Sequence, residues 1–227
     1  MALLCYNSTY FDQKLNSEGD GTRVKLENAA LVIPHGSPET FELVVQWMYT
    51  ANLVLPVPAQ PGSQNEVAQG ATAEQKNAPE SAASRAITSY LEFSKMANQI
   101  GLLGPFDLIN NQVKAFLCAP EHNLLPCHIR SAMELPRGHA MRKLFMQACV
   151  AQYVKDIKTQ SSEFRFTIEL NEVEPFAADL LRGFNQAVRL GSTQVVMEGK
   201  RSCVVFFTFN DPLTGKPEQI RCPSTYR

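Results

Sequence analysis

The strongest helical pattern of hydrophobic positions lies between residues 37 and 50. Ser37 can cap a helix, Pro38 suits its first turn, and Glu39 is favoured near the positive end of the helix dipole. The apolar side chains that follow at helical spacing are Phe41, Val44, Val45 and Met48, with Leu43 and Trp47 on a second face. A helix that is apolar on two faces is usually enclosed by other elements. The pattern therefore predicts the central helix of a fold, with Trp47 in its core.

Residues 56–86 have a different character. They contain four prolines and no Leu, Ile, Phe or other aromatic residue. Such a segment buries too little apolar area to offset the entropy lost on ordering. We predict a flexible inserted linker. The alternative is a weak helix over 71–86, which the alanine content favours and Pro79 opposes.

Helical periodicity resumes after this linker. Apolar positions predict helices over 87–101, 105–117 and 127–135, and a longer one through Met141 and Tyr153. Residues 3–15 fit a further short helix, and Val24 and Leu26 give a weak strand signal.

The last third of the chain mixes strand and helix patterns. Residues 164–170 alternate apolar and polar side chains, which indicates a half-buried strand, and an amphipathic helix follows over 176–188. Two strands are predicted at 195–197 and 203–209, with a turn over 198–201. The proline-containing end should be irregular. The fold class is therefore α+β, mostly helical, with a C-terminal β-α-β-β unit.

Composition narrows the possible partners and locations. The 227 residues carry a net charge of −1 and no run of Lys and Arg, so neither nucleic acid nor an anionic membrane is an expected partner. No apolar run approaches the roughly 18–20 residues of a membrane span. Six scattered cysteines without a secretory signal predict free thiols in an intracellular setting, cytoplasmic or nuclear.

Candidate metal and catalytic groups are weakly marked. Cys118, His122, Cys127 and His128 lie close together in the chain, but their spacing fits no standard zinc pattern. No glycine-rich or nucleophile-elbow motif frames any Cys–His pair. We therefore expect no metal, no cofactor and no enzymatic activity.

Three basic residues cluster near one predicted helix start. They are Arg137, Arg142 and Lys143. They could contact an acidic partner or nucleic acid, but such charges more often form a solvated face, which is the interpretation we favour.

The segment from Ala30 to Leu55 resembles the BTB/POZ domain, especially its fungal branch. The residues that carry the resemblance are Leu31-Val32-Ile33-Pro34, Ser37-Pro38-Glu39-Thr40-Phe41-Glu42 and Val45-Gln46-Trp47-Met48-Tyr49-Thr50. Leu4-Cys5 with Ser8 to Phe11 is similar to the family's Cys-Ser-x-Tyr-Phe helix, and Tyr90 to Leu102 and Asp107 to Leu117 are similar to later helices. Residues 127–154 resemble the helical extension of fungal members.

The resemblance implies a domain plan. A BTB/POZ-like core would comprise 1–55 and 87–118, followed by a helical extension over 119–158 and a C-terminal α+β unit over 159–227. The family opens with two strands and a helix before the Cys-Ser-x-Tyr-Phe element, whereas this sequence begins almost at that element. We therefore expect an N-terminally incomplete member of the family.

The resemblance also implies a protein–protein interaction module, with self-association as one expectation. Some members are substrate adaptors that bind a cullin-type ubiquitin-ligase scaffold through the loop after the Trp-bearing helix. The candidate partner-binding residues here are Leu53, Val54, Leu55 and Phe116. This loop lacks the Glu of the usual hydrophobic-x-Glu pattern, and Leu53 and Leu55 could instead cover the core. The alternatives are a small enzyme or metal-binding protein that uses the C-terminal unit, or a truncated member without activity of its own.

Overall fold

A computed structural model describes residues 2–16, 36–55, 81–119, 124–158, 164–198 and 202–223. The chain divides into two compact units, Met1–Ile109 and Asn110–Arg227. The predicted strand at Val24 and Leu26, most of the predicted linker, and the turn at 199–201 lie outside the described residues. The mostly helical α+β class is confirmed.

The first unit opens with two short helices instead of the single predicted one. They are α1 (Ala2–Asn7) and α2 (Thr9–Asn16). The chain breaks at Ser8 because its backbone forms a bridge with Leu102 and its hydroxyl donates to the carbonyl oxygen of Ile100. Gly101 has a φ of 56°, and a Cβ there would clash with the Thr9 hydroxyl oxygen, so this close junction needs glycine.

The predicted central helix is confirmed as α3 (Pro38–Thr50). The Ser37 side chain accepts the Thr40 N–H at 3.1 Å, which is the expected N-cap contact. Val44, Trp47 and Met48 are buried, as the two-faced apolar pattern predicted.

Helix α4 (Ala82–Gln99) packs against α3. It begins inside the predicted linker, because Ser81 caps it and alanines occupy its first turn. The Trp47 ring stacks on Phe106 at 5.2 Å between centroids and lies 5.9 Å from Phe93. Trp47 is therefore a core residue of the first unit, as the sequence predicted.

Five further helices follow, the first of which spans the boundary between the units. They are α5 (Asp107–Cys118), α6 (Pro126–Glu134), α7 (Ala140–Lys158), α8 (Thr167–Glu172) and α9 (Glu174–Arg189). Helix α7 is central to the second unit, since its buried residues run from Met141 to Val154. Among the described helices, none is both long enough and apolar enough to cross a bilayer.

The predicted strand over 164–170 is wrong, because α8 occupies most of this segment. Glu169, which alternation would direct to solvent, is buried, whereas Ile168 is 62% exposed. The Glu169 carboxylate accepts hydrogen bonds from Arg130 on α6, at 3.0 Å from Nη2. This distant ion pair favours the helix over the local strand pattern, so the C-terminal unit is not β-α-β-β.

A three-stranded antiparallel sheet completes the second unit, in the order β1 (Ser192–Glu198), β2 (Ser202–Asn210) and β3 (Pro217–Pro223). The two predicted strands are confirmed. The expectation of an irregular end is wrong for β3, which pairs with β2 along its length. Its prolines stand at the first and last positions of an edge strand, where the sheet tolerates a missing N–H.

Arg142 is not on a solvated face, which corrects the interpretation of the basic cluster. Its side chain is 6% exposed, and two of its nitrogens donate to Asp179 Oδ2 at 2.6 and 3.1 Å. Nη1 donates to the carbonyl oxygens of Met133 and Leu135. Burial is possible because all these partners satisfy the guanidinium. Arg137 and Lys143, in contrast, are exposed.

Replacing Arg142 should therefore destabilise the second unit strongly. Arg142→Met leaves the Met133 and Leu135 carbonyl oxygens without this donor and removes one partner of the buried Asp179. We expect the free energy of unfolding to fall by about 3–5 kcal/mol. Urea denaturation measures this, with Arg137→Met as the exposed control, expected within about 0.5 kcal/mol of wild type. Equal losses in the two variants would contradict the assignment.

His139 should make α7 sensitive to pH. Its Nδ1 accepts the Met141 N–H at 3.2 Å, and partial burial lowers its pKa. The pKa of His139 in the folded state lies below its unfolded value of about 6.5. The contribution of His139 to the stability of the fold is therefore complete above about pH 6.5 and is lost as the pH falls below it.

Thermal melts at about pH 7.5 and pH 5.5 check this behaviour. His139→Asn keeps an acceptor that does not titrate, so its melting temperature should fall less over this interval than that of wild type. The same decrease in both proteins would show that His139 is not the titrating group.

Candidate partner-binding surface

The candidate loop begins where α3 ends. Ala51 adopts a left-handed conformation with a φ of 51°, and its N–H donates to the Trp47 carbonyl oxygen at 2.8 Å. The Asn52 N–H donates to the Thr50 hydroxyl oxygen at 3.2 Å. These contacts satisfy backbone groups at the helix end and fix the direction in which the chain leaves.

The three predicted residues of this loop have different environments. Leu53 is 3% exposed, Val54 is 65% exposed, and Leu55 is half-buried. Leu53 therefore covers the core, as the alternative interpretation expected for it. Val54 and Leu55 are the two members of the predicted set in this loop that a partner can reach.

Phe116, the fourth predicted residue, belongs to the second unit. It lies on α5 beyond the boundary after Ile109, and it is half-buried. Its contribution to partner binding stays a prediction, separate from that of the loop.

The solvent side of α3 carries chemistry that the sequence analysis did not assign to binding. Glu42, Gln46 and Tyr49 stand four and then three residues apart and so share one face. We call these three residues the outer stripe. Tyr49 is 75% exposed. The sequence could have identified Tyr49 as exposed, because helical spacing places it on the side opposite Val44, Trp47 and Met48.

The start of the same helix is negatively charged. Hydrogen bonds from its own backbone N–H and from Ser37 lower the pKa of Glu39, so its carboxylate is ionised at neutral pH. With Glu42 further along, α3 presents two acidic groups and then an exposed aromatic ring. Aromatic residues are enriched where proteins bind one another.

The candidate metal ligands of the second unit do not form a metal site among the described residues. Cys118 and Cys127 are exposed, whereas His128 is buried and its Nδ1 accepts the Leu125 N–H at 3.1 Å. His122 lies outside the described residues. Within the described ranges, no three His, Cys, Asp or Glu side chains are grouped closely enough to hold a metal ion.

Cys149 is a structural residue. It is fully buried on α7, and burial raises the pKa of its thiol far above the usual value. The nucleophilic form of cysteine is the thiolate. Cys149 therefore cannot serve as the nucleophile of the alternative enzymatic function.

Comparison with known protein families gives a match that includes α3 and the candidate loop. A BTB/POZ domain is found at residues 1–73. The match covers about a third of the chain. No curated protein matches the chain, and no solved structure does.

The match supports the expectation of a protein–protein interaction module. BTB/POZ domains mediate contacts between proteins, including self-association, and are not typically enzymes. Fungal origin and an incomplete N-terminus remain predictions. The assignment of residues 87–118 to the BTB/POZ core also remains a prediction, since the match ends before α4.

Truncating Leu53 and truncating Val54 to alanine should have very different effects on the free energy of unfolding. Leu53→Ala creates a cavity in the first unit, and we expect it to lower the free energy of unfolding by about 2–5 kcal/mol. Val54→Ala removes mainly exposed atoms and should change it by no more than about 0.5 kcal/mol. Chemical denaturation of the two variants measures the difference. A large loss from Val54→Ala would place Val54 in the core.

Proposed function

We propose that this chain is an adaptor that binds a cullin-type ubiquitin-ligase scaffold through α3 and the loop after it. The observation that carries the proposal is an exposed surface inside the BTB/POZ match, formed by the outer stripe together with Val54 and Leu55. The cap at Ala51 fixes the direction in which this loop leaves α3, which reduces the entropy lost when a partner docks.

The surface supplies both components of a specific contact. Tyr49 and Val54 offer apolar area, and Glu39 and Glu42 add negative charge. The loop itself lacks a Glu after its hydrophobic residues, but Glu39 and Glu42 provide acidic groups on α3, the helix that precedes it. A scaffold surface with apolar sockets beside basic side chains would complement it.

A binding assay with the full chain tests the proposal. The N-terminal region of a cullin-type scaffold is immobilised, and binding is followed by interferometry. We expect Val54→Asp to weaken binding by about tenfold or more, because it places a charge where an apolar group would be desolvated.

Ile168→Asp is the matched control, since Ile168 is also exposed but lies on α8, outside the BTB/POZ match. It should bind like wild type. Absence of binding by the wild-type chain, or equal binding by Val54→Asp, would refute the cullin proposal. Circular dichroism confirms that both variants are folded.

Self-association is a second candidate function, favoured by a different exposed surface. Leu103 donates its N–H to the Asn7 carbonyl oxygen at 2.8 Å, so exposed Tyr6 and Leu103 lie on neighbouring segments. Light scattering on the same samples distinguishes the functions, because a dimer through this surface would persist in Val54→Asp.

A further inference from the structure

The second unit contains a cleft of about 410 Å³ between α7, α9 and the turn that joins β2 to β3. This volume lies within the range of about 300–1,000 Å³ that is usual for ligand sites. Its lining combines apolar and cationic groups. The apolar members include Met146, Val150 and Ala187, and the exposed cations are Arg137, Lys143 and Arg182.

The two carboxylates that line the cleft already have hydrogen-bond partners. Asp179 accepts hydrogen bonds from Arg142 at one oxygen and from Arg182 at the other, the latter at 2.8 Å. Asp211 uses its carboxylate within the turn, where it accepts the Leu213 N–H and the Thr214 hydroxyl, both at 2.8 Å. Neither carboxylate is left to pair with the remaining cations.

The cations at the rim retain donors for a ligand. Arg137 and Lys143 form no ion pair with any carboxylate in the part of the chain that the structure describes. Arg182 uses only Nη1 on Asp179 and is otherwise largely exposed. With Arg142, four cations stand against two carboxylates in this lining. The cleft therefore carries an excess of positive charge on a chain whose net charge is −1.

The two helices that form walls of the cleft are closely joined. Gly183 lets α9 approach α7 closely, since a Cβ there would lie 3.0 Å from Val150 Cγ2. The buried pair between Arg142 on α7 and Asp179 on α9 ties the same two helices together. A cleft between two joined helices, with an apolar floor and a cationic rim, suits a ligand of complementary shape and charge.

We propose that this cleft binds a short acidic peptide segment of a partner protein, with carboxylates at Arg137, Lys143 and Arg182 and an apolar side chain on the floor. A polynucleotide fits less well, because the described residues that line the cleft include no aromatic side chain for base stacking. The residues that line this site all belong to the second unit and none is part of the α3 surface, so it would give the chain a second binding function.

Fluorescence anisotropy with the full-length chain tests the proposal. The probe is a fluorescein-labelled peptide of repeated Glu-Leu-Gly, and the comparison peptide has Gln in place of Glu. We expect the Glu peptide alone to bind, with an affinity that falls as salt is raised, because opposite charges near the surface are screened. The double variant Arg137→Ala/Lys143→Ala should bind it about tenfold more weakly.

Arg85→Ala/Lys114→Ala is the matched control, since it removes the same charge from exposed positions outside the cleft. It should bind the Glu peptide like wild type, and so should Val54→Asp, whatever the outcome of the cullin assay. Equal binding of the Gln peptide, or equal weakening in the control, would overturn the proposal. So would an oligothymidine that binds as tightly as the Glu peptide and depends on Arg137 and Lys143.

Discussion

The Arg142 guanidinium joins three helices of the second unit at one buried point. It donates to Asp179 on α9 and to two carbonyl oxygens at the end of α6, those of Met133, the second-to-last residue, and Leu135, just beyond the helix. Its own helix, α7, supplies the central core. A charge at this depth is tolerated because each of the three guanidinium nitrogens donates a hydrogen bond, and Asp179 supplies the opposite charge. The placement of α7 against α9 therefore depends on this pair, and with it the floor of the cationic cleft.

Local sequence signals predicted those parts of the fold whose causes are local. Ser37, Pro38 and the apolar spacing after them specify α3 without help from distant residues, and the helix formed as expected. The strand over 164–170 failed because Glu169 is held by Arg130, 39 positions earlier in the chain. The same reason explains Arg142, whose partner Asp179 lies 37 positions away. Alternation and charge clusters cannot reveal an ion pair of that separation.

The candidate site, too, could be predicted only in part from the sequence. The loop after α3 could be located from its hydrophobic residues, but its pattern does not distinguish Leu53 from Val54. The left-handed turn at Ala51 decides which side chain is buried. On α3 the inner face packs around Trp47 and the outer stripe is the face proposed to meet a partner. Stability and the proposed recognition therefore involve different residues of one helix.

The junction at Ser8 has a consequence for how the first unit assembles. Its hydroxyl and its backbone contact residues 100 and 102, more than ninety positions later in the chain. Contacts of such high sequence separation form late and slow the search for the native state. A fragment ending at residue 73, where the BTB/POZ match stops, would carry α1 and α2 without the α4 end on which their junction depends. The stretch that matches the BTB/POZ domain is thus shorter than the stretch that supplies the contacts of its first two helices.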